Sequence, residues 1–117
     1  MDEFSSEQLL EQLRQLDEQP RIEAKRASEI GKSVMQTICA FANEPGLGGG
    51  YLLLGVDEPE KPEDTFSVCG VTDADRLLND IQTNCRDQFE SPVPVQGEVA
   101  LLEGKKVIRL FVPELEP

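Results

Sequence analysis

The sequence predicts an α+β fold: a small mixed sheet with a C-terminal β-hairpin and about three helices. Three observations carry this expectation. Residues 51–56 (YLLLGV) are apolar at every position, which marks a strand buried on both faces. Residues 29–43 and 72–89 repeat their apolar residues at helical spacing. Residues 95–102 and 106–112 are strand-like runs around Glu103-Gly104-Lys105, the pattern of a hairpin. With 117 residues the chain makes one domain with a real core.

The first helix is signalled by Ser5 and Gln8, which fit a capping box, with Phe4 placed to staple onto Leu9. Leu9, Leu10, Leu13 and Leu16 form its narrow apolar stripe, and the segment ends near Pro20. Residues 21–26 read as a short strand, with Glu23 and Lys25 on one face and Ile22 and Ala24 on the other. The helix over 29–43 turns Ile30, Val34, Ile38 and Phe41 or Ala42 inward, and Asn43 with the glycines beyond it suits a helix end. The central strand 51–56 follows and delivers Asp57 at its C-terminal end. Gly55 lies two residues earlier on the same face, leaving room for another group. Residues 59–65 form a polar, proline-bearing loop, and 66–71 a short strand. Thr72 with Asp75 caps a helix running to about Phe89, with Leu77, Leu78, Ile81 and Cys85 inward; Pro92 and Pro94 then break the chain before the hairpin.

Composition narrows the chemistry. There is no histidine, which removes Ser-His, Cys-His and His-ligated zinc mechanisms together. A metal site here has to be built from carboxylates, which favours Mg²⁺ or Mn²⁺. Cys39, Cys69 and Cys85 form no CxxC pair, and Cys39 and Cys85 fall on apolar helix faces, so reduced thiols in a cytoplasmic protein are expected. No apolar run is long enough to span a membrane, and the acidic, polar start is unlike a signal peptide. The net charge of −12 opposes non-specific binding to a phosphate backbone. That charge is uneven, however. Residues 57–64 (DEPEKPED) carry five acids against one lysine, whereas 21–33 carry Arg21, Lys25, Arg26 and Lys32 against Glu23 and Glu29. Those four cations are the candidate phosphate contacts, and Arg86, Lys105, Lys106 and Arg109 are candidates to extend the same face. Five Phe and one Tyr are too few for a base-stacking platform.

Two nucleotide motifs fail on inspection. Gly31-Lys32-Ser33 ends like a phosphate-binding loop, but Arg26 stands where its first glycine belongs and no buried strand feeds it. Gly46-Leu47-Gly48-Gly49-Gly50 runs from helix to strand, whereas a dinucleotide fingerprint runs from strand to helix so that phosphate meets a helix N-terminus. It reads as a reversing turn, and no ATP site is recognised.

Residues 18–25 (EQPRIEAK), Ala40-Phe41-Ala42-Asn43, the glycines 48–50 and Gly55-Val56-Asp57-Glu58 together resemble the schlafen AlbA-like domain. Its pattern is roughly E-x4-E-[FA]-K, a helix ending in AFAN, a GG turn and a strand ending in GVDD. The resemblance covers about residues 18–113 and implies three parts: an N-terminal helix over 1–17, the AlbA-like domain over 18–113, and at 114–117 the start of a linker to a C-terminal region outside this chain. It implies a nucleic-acid-binding module, for DNA or RNA, in a bacterial transcriptional regulator. It also places Glu18, Glu23 and Asp57 where schlafen nucleases carry three catalytic acids. A metal-dependent endoribonuclease holding Mg²⁺ or Mn²⁺ on these carboxylates, with Lys25 as electrostatic helper, is therefore the alternative. Glu18 lies five residues before Glu23, so the two share a site only if the chain bends, and Pro20 is the obvious place. Ala24 stands where the family usually has a bulkier residue. A third role, protein interaction or homo-oligomerisation, follows from the leucine-striped first helix and the high charge.

Overall fold

The computed structural model describes residues 4–15, 21–26, 31–46, 48–87 and 92–115. The expected α+β fold is present. In chain order the elements are α1 (Ser6–Gln15), β1 (Ile22–Lys25), α2 (Lys32–Asn43), β2 (Gly50–Leu54), β3 (Val56–Asp57), β4 (Ser67–Val68), α3 (Ala74–Asp87), β5 (Gln96–Leu102) and β6 (Lys105–Val112). The main sheet has strand order β1-β2-β6-β5, with β1 parallel to β2 and the other pairs antiparallel; β3 and β4 form a separate antiparallel ladder.

Alternation along β2 sorts the molecule into layers. Leu52 and Leu54 join the core with Val34, Ile38 and Phe41 of α2 and Leu77, Ile81 and Cys85 of α3. Tyr51 and Leu53 join a second core with Leu9, Leu10 and Leu13 of α1. The sheet is thus covered on both faces, which is why every residue of β2 is buried. The capping box of α1 is present: the Ser5 N–H donates to Gln8 Oε1 at 2.8 Å, and the Gln8 N–H donates to Ser5 Oγ at 3.2 Å. Phe4 meets Tyr51 edge to face at 5.8 Å, so the ring that precedes α1 docks on the sheet. Leu16 and Pro20 lie outside the described residues.

Several expectations need correction. Residues 51–56 are not one strand. Gly55 adopts φ 100, and its carbonyl accepts the N–H groups of Cys69 (2.8 Å) and Gly70 (2.9 Å), so the chain leaves the main sheet for the β3–β4 ladder. A Cβ on Gly55 would lie 3.0 Å from Val71 Cγ2, so the space there is filled by the Gly70-Val71 segment. The second helix begins at Lys32 rather than Glu29, because Gly31 is extended (φ −123, ψ 170); Glu29 and Ile30 lie outside the described residues. The third begins at Ala74, after Asp73 at φ 53, and its expected end near Phe89 is likewise outside the described residues. The strand expected over 66–71 contracts to Ser67–Val68, since Gly70 at φ 81 turns the chain. Cys85 is buried as expected, but Cys39 is half-exposed beside the Asn43 amide (3.2 Å to Sγ), and all three thiols are free.

The hairpin closes on two residues, Glu103 (φ 51) and Gly104 (φ 79), both left-handed, so Leu102 faces Lys105. This is the turn whose twist matches that of the strands. After β6 the chain is tied back. Glu114 Oε1 accepts the Gly48 N–H at 2.8 Å, and the Leu115 N–H donates to the Ala42 carbonyl at 2.8 Å. No helix among the described residues is long and apolar enough to cross a membrane.

Candidate nucleic-acid interface

β1 is an edge strand, and its register sets the site. Glu23 pairs with Leu52 and Lys25 with Leu54, so both lie on the sheet face that carries α2 and α3. Ile22 and Ala24 turn to the α1 side and are buried there. Ala24, where the resembled family carries a bulkier residue, thus bears on packing beneath α1 and not on the charged face.

α2 starts at the carboxyl end of β1. Lys25 Nζ donates to Ser33 Oγ in its first turn at 2.7 Å and lies 3.9 Å from Glu23 Oε2. The Gly31 N-cap supplies no side-chain bond, and the first turn contains no acid. Among the described residues, its first N–H groups and the positive end of the helix dipole therefore remain uncompensated by the helix's own side chains. Lys32 adds a solvent-exposed cation at the same turn. Arg26 follows β1, with its side chain 77% exposed, and its Nε is 3.9 Å from Asp57 Oδ1. Asp57 ends β3. Its neighbour Val56 is in the α1-side core, so alternation turns Asp57 toward Arg26 on the other side. The Gly55 N–H donates to the Lys25 carbonyl at 2.8 Å, which locks the start of β3 to the end of β1.

Cys69 belongs to the same neighbourhood. Burial pushes its thiol up, Asp57 pushes it further, and Arg26 and Lys105 oppose the rise. Lys105 Nζ donates to the Val68 carbonyl at 3.2 Å. Neither Ser33 nor Cys69 was singled out from the sequence. Ser33 sits in the rejected Gly31-Lys32-Ser33 motif, and its partner is a lysine of the preceding strand.

The sequence-adjacent basic residues are not all brought together. Lys25, Arg26 and Lys32 stand at the carboxyl end of β1, but Arg21 precedes the strand, and its guanidinium would lie 3.5 Å from a Cβ on Gly48. Four residues of strand separate them by roughly 13 Å. Arg109 lies on the α1 face opposite Leu53 and bonds Glu98 at 2.9 Å, and Arg86 pairs with Asp87 at 3.4 Å. Of the three acids, Glu23 and Asp57 are placed on neighbouring elements and Glu18 lies outside the described residues. Among the described residues no three His, Cys, Asp or Glu side chains are grouped to hold a metal ion. Glu23 and Asp57 instead each face a cationic side chain of this chain.

The arrangement is that of an α+β domain with a cationic helix start beside the end of a parallel strand pair, the end at which open sheets commonly bind ligands. A family profile described as Schlafen, AlbA_2 matches residues 18–116, and the chain belongs to that family. Among solved structures it is similar to the N-terminal domain of a RecG-related protein from Nitrosomonas europaea, determined by solution NMR. Identity is 43%, the TM-score is 0.82, and the match covers 92% of this chain and 72% of that one. No curated protein matches the chain.

Proposed function

We propose that this chain is a nucleic-acid-binding module that grips the phosphate backbone at the start of α2, as part of a cytoplasmic bacterial transcriptional regulator. The observation that carries the reading is Lys25 anchored on Ser33 at a helix N-terminus with no cap and no acid in its first turn. Free N–H groups, the helix dipole and a fixed ammonium together suit a phosphate. The Arg26–Asp57 contact is long and exposed, so it holds Arg26 weakly and leaves it able to turn to a phosphate. Glu60 and Asp64 of the acidic loop line a groove with Leu13 and Arg14 of α1. Among the described residues, those in contact at the site (Glu23, Lys25, Arg26, Ser33 and Asp57) are not aromatic, so recognition is of backbone more than of base. Membership of the schlafen AlbA_2 family and likeness to a domain of a RecG-related protein support the same reading.

The test is fluorescence anisotropy with labelled single-stranded DNA, duplex DNA and structured RNA at low salt. Arg26→Glu is expected to weaken binding about tenfold, since it replaces an attraction to phosphate with a repulsion. No binding of any of the three by the wild-type chain would overturn the proposal.

A second reading, a divalent-metal-dependent nuclease with Lys25 as helper, is favoured by one observation: the Gly55 N–H bond to the Lys25 carbonyl joins β3 to β1, so that Glu23 and Asp57 lie on adjoining strands. The residues described do not by themselves make an Mg²⁺ or Mn²⁺ site, so this reading depends on Glu18 as the third carboxylate. Mn²⁺-dependent cleavage of the RNA probe, lost in Glu23→Ala, would establish it in place of simple binding.

A further inference from the structure

The outer edge of β5 has no partner strand among the described residues. Leu102 and Lys105 flank a two-residue turn and close the ladder, so Leu102, Ala100 and Glu98 bond to β6. Gly97, Val99 and Leu101 therefore turn their N–H and C=O groups outward, and Leu101 is 65% exposed. Beside the end of this strand, α1 and the hairpin enclose a groove of about 450 Å³, with Leu10 and Leu102 as its apolar floor and Glu7, Glu11 and Glu103 on its rim. Arg14, the cation of that rim, is committed to Glu103 Oε2 at 3.0 Å and to the Phe66 carbonyl at 3.0 Å.

We propose that the free edge of β5 and this groove bind an extended basic peptide of a partner protein, which adds as a fifth strand and seats an apolar side chain between Leu10 and Leu102. Charge selects the occupant. Glu7 and Glu11 of the rim present carboxylates to the incoming strand, beside the Arg14–Glu103 and Arg109–Glu98 pairs, so alternating lysine or arginine and apolar residues complement both rim and floor. A second copy would bring the same acids against themselves on a chain of net charge −12.

The experiment titrates the intact chain into a fluorescein-labelled peptide of seven residues, the length of β5, alternating lysine and leucine. A glutamate–leucine peptide is the control. Saturable binding of the lysine peptide and none of the control is expected. Glu11→Lys, an exposed change that leaves the core intact, should weaken binding about tenfold. Leu101→Pro, which removes an outward N–H, should weaken it by at least about as much while circular dichroism stays that of the wild type. Equal binding of both peptides, or binding indifferent to both substitutions, would overturn the proposal. So would a concentration-dependent dimer that Leu101→Pro abolishes while neither peptide binds, which would give the edge to a second copy.

Discussion

Cys85 is enclosed in the core between α3 and the sheet, and burial pushes its thiol from 9.0 up to about 11. The folded value lies above that of the unfolded chain, so the folded state holds the proton over a range where the unfolded chain releases it. This contribution to stability is complete below about 9 and is lost as pH rises toward about 11. Urea midpoints measured at about pH 8 and about pH 10 should therefore fall more steeply for the wild type than for Cys85→Ala. Cys69 offers a readout of the charged site itself. Asp57 raises its thiol and Arg26 lowers it, so at fixed pH Asp57→Asn should speed alkylation of Cys69 and Arg26→Ala should slow it. Unchanged rates in both variants would mean that the two side chains do not face Cys69 in solution.

Among the elements, α1 has a place that its position ahead of the family match does not suggest. The match begins at residue 18, yet Leu9, Leu10 and Leu13 of α1 roof one face of the sheet. Leu9 is fully buried, and Leu9→Ala is expected to cost about 2–5 kcal/mol by urea denaturation. The turn entering β2 is the second critical piece. Gly49 sits at φ 88, and a Cβ there would run into the Val112 carbonyl. Gly49→Ala should therefore destabilise by about 2 kcal/mol or more, and it should disturb the docking of β6 as well as the turn.

The elements also show what was legible in the sequence. The capping box Ser5–Gln8 and the C-terminal hairpin depend on residues close in the chain, and they read correctly, except that Lys105, expected in the turn, pairs with Leu102 as the first residue of β6. The break at Gly55 did not, because an unbroken apolar run has no period to interrupt, and the partners that fix the turn, Cys69 and Gly70, are supplied from beyond a long loop. The start of α2 was set too early because charged and small residues carry little helical period. The site was legible as residue types but not as an assembly. Glu23 and Lys25 share a face as their spacing dictates, whereas the separation of Arg21 from Lys25 follows from strand length, and the Lys25–Ser33 bond from a crossover.

For the molecule as a whole, the net charge of −12 and pI near 4.3 oppose association with a polyanion. Binding at the start of α2 has to act against that field, with Lys25, Arg26 and Lys32 as the local cations. About three phosphate contacts predict a log–log salt slope near −2 to −3. A much steeper slope would require cations from outside this face. Within the proposed face the match between motif and geometry is partial: Lys25 stands by Glu23 and Arg26 by Asp57, and the third acid of the motif falls outside the described residues.

The strand order β1-β2-β6-β5 has a consequence for how the chain is made. β2 is apolar on both faces and leaves the ribosome with β1, its parallel neighbour, already available. The slot on its other side belongs to β6, whose Val112 pairs with Gly50. Until β6 emerges, a strand that is buried at every residue in the folded protein is therefore an open edge, the kind of surface that chaperones hold and that nascent chains share when they aggregate. The β5–β6 hairpin, being local, can form by itself and close that slot in a single docking event. The interval of hazard in synthesis is thus the one between the emergence of β2 and that of β6.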